Sequence, residues 1–237
     1  MNAFFLDRLN SEPHALAFAG QSTPWPVALA DQSTNPVLDG ELHAHAAAAQ
    51  ALLYPVAADL LATTGRPVDL FGFEANPARL GDAASAAASV PGIALTQLGA
   101  LIDAAELGYN PAKAKPIAVL GHSQGVLAVH MVQAIEQAGS IAAATAQIDE
   151  ILAIATLIGV AGTRQARQLG LAARHGEATP MLSVKDITRA QVDTLIARVS
   201  GVHGPIAVAV ANSATHYVLS GYPEDLAAFG VEVAKEH

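Results

Sequence analysis

The motif G-x-S-x-G at residues 121–125 stands between an apolar run and an alanine-rich apolar run. This order predicts a strand, a sharp turn and a helix, with Ser123 at the tip of the turn. Gly121 and Gly125 flank the turn, where a side chain would crowd the strand against the helix. Ser123 would then be strained, exposed and at the positive end of a helix, where a weakly nucleophilic hydroxyl can attack a carbonyl. The alternative is a glycine-rich turn in which the serine only caps the helix.

The composition allows a large core and excludes several kinds of protein. Of the 237 residues, 52% are hydrophobic and 14% charged, which suits one large domain or a large domain with a small insert. The net charge of −9 disfavours nucleic-acid binding, which depends on basic patches. The absence of cysteine excludes disulfides and thiolate catalysis. The nine histidines lack metal-ligand spacing, so we expect no metal.

The apolar runs and the N-terminus bear on the compartment. No apolar run in the sequence approaches the roughly 20 residues that cross a membrane. The N-terminus lacks the basic and apolar regions of a secretory signal. We therefore expect a cytoplasmic protein that does not contact a membrane.

The first 177 residues alternate short apolar runs with long alanine-rich segments. Their patterns predict a buried strand at 15–21, a loop at 22–26, one or two helices at 38–64, a turn at 89–93, a helix at 94–106, a helix from the motif to 137, a helix at 149–160 and a polar segment at 162–177.

The pattern changes after about residue 179. Strands are predicted at 180–184, 206–211 and 217–220, and helices at 187–199, capped by Thr188, and at 223–235. This β-α-β-β-α order is a split βαβ unit without its last strand. We therefore expect a large α/β subdomain at 1–177 and a small, incomplete subdomain at 178–237.

Four segments of the chain stand out together. They are Phe18-Ala19-Gly20-Gln21, the motif at 121–125, Met181-Leu182-Ser183-Val184, and Asn212 with residues 217–224. In this order they resemble segments of the acyltransferase domains of fatty-acid synthases and polyketide synthases. The His-Ser-Gln-Gly form of the motif and residues 89–101 look most like the acetyl transferase of large multidomain fatty-acid synthases. The resemblance implies an α/β-hydrolase-like parallel-sheet body with a ferredoxin-like small subdomain.

The resemblance also implies ping-pong acyl transfer in fatty-acid synthesis. Ser123 would take an acyl group from acetyl-CoA and pass it to the phosphopantetheine thiol of an acyl carrier protein, with no permanently bound cofactor. The backbone N–H groups of Gln21 and Gln124 would bind the oxyanion. The expected partners are the carrier protein and the other domains of a fatty-acid synthase.

Three further residues are expected to line the substrate pocket: His122, Gly159 and Asn212. Neighbouring side chains in a tight turn point apart, so His122 is expected near the pocket mouth and not as the base. Asn212 could instead be a turn residue before a strand.

The chain departs from the family at the general base. The family's histidine lies in a Pro-Phe-His-Ser-like segment downstream of the small subdomain, and no such segment occurs here. We therefore expect the base beyond His237 and the chain to be truncated. His237 itself is expected to be a frayed helix residue.

A second departure concerns the substrate. Malonyl-specific members carry an arginine that pairs with the substrate carboxylate, but the corresponding residues 155–161 contain none. Arg164 and Arg167 lie further along and are expected to be solvated. An apolar pocket disfavours an unpaired carboxylate, so we expect acetyl or another neutral short acyl group. Malonyl transfer is the alternative.

Two other functions are compatible with the sequence. An esterase or thioesterase would need a late acid and histidine, such as Asp193 or Glu224 with His216 or His237. A non-catalytic domain of a synthase would keep the fold without the activity. Basic residues that could meet an acidic carrier protein are Lys113, Lys115 and Arg164.

Overall fold

The computed structural model describes residues 8–20, 24–64, 69–72, 85–168, 181–199 and 202–236. The chain divides into two compact units, Met1–Arg167 and Gln168–His237. We call them unit 1 and unit 2. The subdomain boundary expected at 177/178 lies outside the described residues.

Unit 1 is rich in helix and contains a small parallel sheet. Strands β1 and β2 pair in parallel, with Ala15 opposite Ala118 and Phe18 opposite Gly121. Parallel strands place their carboxyl ends side by side, so the residues after β1 lie beside the G-x-S-x-G turn. The elements are β1 Ala15–Phe18, α1 Trp25–Gln32, α2 Pro36–Thr64, α3 Ala86–Glu106, α4 Pro111–Ala114, β2 Ala118–Gly121, α5 Val126–Ala138 and α6 Thr145–Gln168, with 3₁₀ turns at Ser123–Gly125 and Ala142–Ala144.

Two expectations near the N-terminus need correction. The strand expected at 15–21 forms over Ala15–Phe18, but its side chains alternate between exposed and half-buried. The loop expected at 22–26 is wrong at its end, because α1 begins at Trp25 with Pro26 in its first turn. A proline is tolerated there, since its missing N–H would have no intrahelical partner.

Helix α3 runs without interruption through the turn expected at 89–93. Pro91 lies inside the helix, and 15 of the 21 residues of α3 are buried. A Cβ on Gly92 would lie 2.4 Å from Trp25 Cε3, so this glycine makes room for α1. Burial of the apolar helix outweighs the roughly 3 kcal/mol that an internal proline costs. The Pro-Gly pair is therefore a packing feature and not a turn.

Helix α6 is longer than the helix expected at 149–160. It extends to Gln168 and includes the first part of the polar segment expected at 162–177. Thr163 is buried in this extension, and its Oγ1 accepts a hydrogen bond of 2.8 Å from the N–H of Ala87 at the start of α3. This contact holds the end of α6 against the start of α3.

Among the described residues, two helices are long and apolar enough to cross a membrane by length and composition alone. They are Ala86–Glu106 and Ala142–Ala166, so the expectation that no apolar segment approaches this length is wrong. The apolar window of the first is 78% buried and that of the second 39%. Core helices meet the same two criteria, so the finding is weak evidence for a membrane span.

Unit 2 has its elements in the expected β-α-β-β-α order. They are β3 Met181–Lys185, α7 Arg189–Val199, β4 Ala207–Ser213, β5 His216–Ser220 and α8 Pro223–Glu236. The sheet is antiparallel in the order β3-β5-β4, so the last strand lies between the other two. Its core includes the fully buried side chains of Ile187, Leu195, Leu219 and Phe229.

The start of α7 confirms the expected cap. Gln191 Oε1 accepts a hydrogen bond of 2.9 Å from the N–H of Thr188, and Thr188 Oγ1 accepts one of 3.4 Å from the N–H of Gln191. This reciprocal pair is a capping box, which satisfies two backbone donors at the helix start.

A buried hydrogen bond, which the sequence did not predict, joins α2 to α6. His45 Nδ1 lies 2.6 Å from Asp149 Oδ1, and both residues are less than 10% exposed. The two residues are 104 positions apart in the chain, so no local pattern reveals the pair. The pair therefore fixes the register of two core helices.

We expect Asp149→Ala to lower the free energy of unfolding by about 1–3 kcal/mol, because it leaves the buried His45 nitrogen without its partner. The matched control is Asp39→Ala, since Asp39 lies 3.6 Å from His43 in an exposed pair on α2. That change should cost no more than about 0.5 kcal/mol. Chemical denaturation measures both, and equal costs would contradict a structural role for the buried pair.

Candidate active site

The strand-turn-helix at Ser123 forms as the sequence predicts. Ser123 follows β2, is exposed, and begins the 3₁₀ turn that leads into α5. Its φ is +55°, in the left-handed region that a residue with a Cβ rarely adopts. This conformation costs about 1–2 kcal/mol. Such strain persists only where the surrounding structure imposes it, and it is concentrated at functional sites.

Two glycines allow the turn to close. A Cβ on Gly121 would lie 2.6 Å from the carbonyl carbon of Gly125, and a Cβ on Gly125 would lie 2.3 Å from Phe18 O. Both distances are far below van der Waals contact. The strands and the helix can therefore approach this closely only because neither position has a side chain, as the motif predicts.

The backbone after β1 lies against the same turn. The N–H of His122 donates a hydrogen bond of 3.0 Å to Phe18 O. A Cβ on Gly20 would lie 2.9 Å from Ser123 Cβ and 3.3 Å from Gln124 N. Gln124 N is thus at the junction of the two segments, in the first helical turn, where backbone N–H groups have no intrahelical acceptor.

The expected oxyanion and pocket-mouth residues are only partly described. Gln124 is half-buried, and its Oε1 is buried without a hydrogen-bond partner in the described part of the chain. The side chain of His122 is exposed. Gln21 lies outside the described residues. The roles given to these three residues stay predictions.

The other two expected pocket residues lie in different units. Gly159 is at a helix contact in unit 1, where a Cβ would lie 2.3 Å from Ala86 O. Asn212 is exposed on β4 of unit 2, with Nδ2 3.5 Å from His216 Nε2. The same nitrogen of His216 lies 3.0 Å from Ser183 Oγ. Lining of the substrate pocket by Gly159 and Asn212 stays a prediction.

Ser123 Oγ makes no hydrogen bond to any residue that the structure describes. His237 lies outside those residues, and a base beyond it stays a prediction. Of the acids considered for an esterase, Asp193 accepts a hydrogen bond of 2.9 Å from Arg189 Nε, and Glu224 lies in the first turn of α8. Both belong to unit 2.

Two of the basic residues expected to meet the carrier protein lie at the other end of β2 from the nucleophile. Lys113 and Lys115 lie in and just after α4, which precedes the amino end of β2. Ser123 follows the carboxyl end of that strand, so the strand separates them. Arg164 is exposed on α6, in agreement with its expected solvation.

Within the described ranges, no group of three His, Asp or Glu side chains could hold a metal ion. An apolar cavity lies between α2, α3 and α6, lined among others by Ala49, Leu95 and Leu152. None of the residues around Ser123 lines this cavity, so it is separate from the turn.

Comparisons with known proteins give a family and a similar fold. Residues 72–236 match the family of starter unit:ACP transacylases in aflatoxin biosynthesis. An acyl-carrier-protein S-malonyltransferase from Bartonella henselae has a similar fold, with a TM-score of 0.56, 18% identity, and coverage of 95% of this chain and 60% of its own. A malonyl CoA-acyl carrier protein transacylase from Clostridium perfringens also has a similar fold, with a TM-score of 0.56 and 19% identity. That match covers 95% of this chain and 58% of the other. The chain thus spans about 60% of the length of these structures.

No curated protein sequence matches the chain. The family match covers more than half of the chain and includes both the Ser123 turn and unit 2. The chain belongs to the starter unit:ACP transacylase family.

Proposed function

We propose that the protein transfers a short neutral acyl group, acetyl in the first instance, from coenzyme A to the phosphopantetheine thiol of an acyl carrier protein. The observation that carries the proposal is the left-handed backbone of the exposed Ser123 at the end of β2. A capping serine would need no such conformation. Family membership supports acyl transfer and the carrier protein as acceptor.

In the first step Ser123 Oγ attacks the carbonyl carbon of the thioester and forms a new carbon–oxygen bond. The carbon–sulfur bond then breaks, and coenzyme A leaves as a thiol that carries the proton from the serine. The carbonyl oxygen carries the negative charge in between. The backbone N–H groups of Gln124 and Gln21 would donate to it, each worth about 3 kcal/mol. In the second step the carrier thiol attacks the acyl-serine and returns the proton to Ser123. No bound cofactor is needed.

The finer fold is part of the proposal. We infer that unit 1 is an α/β-hydrolase-like body, supported by the parallel pair whose carboxyl end holds Ser123. We infer that unit 2 is ferredoxin-like, supported by its β-α-β-β-α order and by the sheet order β3-β5-β4. A cytoplasmic location and association with other domains of a fatty-acid synthase belong to the same proposal.

The acyl preference rests on helix α6. Residues 155–161 contain no cation, and Leu157 and Ile158 expose 39% and 52% of their surface. The resemblance places this segment beside the acyl group, where it would offer a carboxylate no cation to pair with once water is excluded. The His-Ser-Gln-Gly form of the motif also favours an acetyl transferase of the multidomain type. Malonyl transfer is the second candidate, since the two similar solved structures are malonyl transferases by name.

The experiment is intact-protein mass spectrometry after brief incubation with acetyl-CoA or malonyl-CoA, followed by addition of a carrier protein. We expect an acetyl adduct, little malonyl adduct, and loss of the adduct to the carrier thiol. Equal adducts from both donors would contradict the acetyl preference. Release of the adduct to water faster than to the carrier would indicate a thioesterase. No adduct from either donor would indicate a non-catalytic domain only if a chain extended beyond His237, where the base is expected, also formed none.

A further inference from the structure

We propose that Gln97 is a positioning residue that holds the backbone after β1 against the Ser123 turn. This inference rests on the proposed acyl transfer at Ser123. Gln97 lies on α3 and is 8% exposed. Its Nε2 donates a hydrogen bond of 2.6 Å to Ala19 O, across 78 positions of the chain. A buried amide thus connects a core helix to the segment beside the nucleophile.

The Gln97 amide binds the first carbonyl beyond the end of β1. In the described part of the chain, β1 pairs with β2 alone, and the ladder ends at Phe18 opposite Gly121. Phe18 O accepts a hydrogen bond from the N–H of His122, and the next carbonyl, Ala19 O, accepts one from Gln97 Nε2. Ala19 itself is exposed, so the buried partner in this contact is Gln97. Gln97 thus fixes the backbone where the strand ladder no longer does.

The position of Ala19 and Gly20 affects the nucleophile directly. A Cβ on Gly20 would lie 2.8 Å from His122 O and 2.9 Å from Ser123 Cβ. A Cβ on Gly125, in the same turn, would lie 2.9 Å from Ala19 O. A shift of the Ala19–Gly20 peptide would therefore change the wall beside Ser123 and Gln124 N. Charge stabilisation at a reacting carbonyl depends on placement to within about half an ångström.

Gln32 provides an internal comparison. Its Nε2 donates a hydrogen bond of 2.9 Å to Thr96 O, and its Oε1, like that of Gln97, is buried without a partner among the described residues. The unpaired oxygen therefore does not distinguish the two amides. The difference is the carbonyl that each one binds: Gln32 binds a core helix, whereas Gln97 binds the segment against the nucleophile.

The test compares Gln97→Glu and Gln97→Met with Gln32→Glu and Gln32→Met. Glutamate keeps the size and replaces the donor by an acceptor, and methionine keeps the size without either. We expect the Gln97 variants to acylate about 10- to 100-fold more slowly at saturating acetyl-CoA, with KM changed less than about threefold. The Gln32 variants should stay within about twofold of the parent protein per folded molecule.

Hydrogen exchange of the peptide covering residues 15–20 gives a second readout that needs no activity. It should be faster in the Gln97 variants and unchanged in the Gln32 variants. If neither the unsubstituted protein nor a chain extended beyond His237 forms an adduct, the proposed function fails, and the exchange rates still decide the hydrogen-bond role of Gln97. If it forms an adduct and all four variants match its rate, the positioning role is overturned. If both Gln97 variants unfold while both Gln32 variants stay folded, the positioning role is also overturned, since Gln97 would then be needed for folding.

Discussion

Ser123→Ala is expected to abolish the acyl adduct with acetyl-CoA, because the hydroxyl is the atom that forms the new bond. Intact mass after incubation with acetyl-CoA measures this directly. The fold should survive, since Ser123 is exposed and its side chain makes no hydrogen bond in the described part of the protein. An adduct of undiminished yield in the variant would place the nucleophile elsewhere.

A matched variant separates the chemistry of Ser123 from its backbone strain. Ser123→Gly removes the same hydroxyl and also the Cβ that makes a φ of +55° unfavourable. Neither variant should form the adduct. The free energy of unfolding should be about 1 kcal/mol higher for the glycine variant than for the alanine variant. Denaturant unfolding of the two proteins measures the difference. Equal stability would show that the turn is not strained at this residue.

The sequence predicts the Ser123 turn well because the signal is local. An apolar run, two glycines at fixed positions and a helix-forming run occupy eleven consecutive residues, 117–127, and the contacts of Gly121 and Gly125 follow from their spacing. The cap at Thr188 is predicted for the same reason, since its partner Gln191 is three positions away. The contact of Gly125 with Phe18, by contrast, joins distant parts of the chain.

Prediction from the sequence fails where contacts between distant residues determine the structure. Pro91 and Gly92 have the composition of a turn, yet packing against Trp25 holds them in a helix. His45 and Asp149 meet only because α2 and α6 pack together. A polar residue such as Gln97 in an otherwise apolar helix is a signal that some partner exists. The sequence alone does not identify that partner.

Gly125→Ala is expected to lower the free energy of unfolding by about 3 kcal/mol and to remove the acyl adduct. The new Cβ would lie 2.3 Å from Phe18 O and 2.8 Å from the carbonyl carbon of the same residue. These are backbone atoms of a paired strand, so no side-chain rotation can relieve the overlap. Gly125 has φ −59° and ψ −15°, which alanine adopts readily. The cost therefore arises from the contact alone.

Gly40→Ala is the matched control for Gly125→Ala. Gly40 is an exposed residue of α2, and a Cβ there would meet nothing within 4 Å. Alanine should raise the free energy of unfolding by about 0.5–1 kcal/mol, because glycine is the poorer helix former. Denaturant unfolding and intact mass give stability and acylation for both variants. If the close approach of β1 to the Ser123 turn determines the structure of the site, Gly125→Ala must destabilise the protein while Gly40→Ala stabilises it. A Gly125→Ala protein as stable and as active as its parent would show that the strand and the helix are free to move apart.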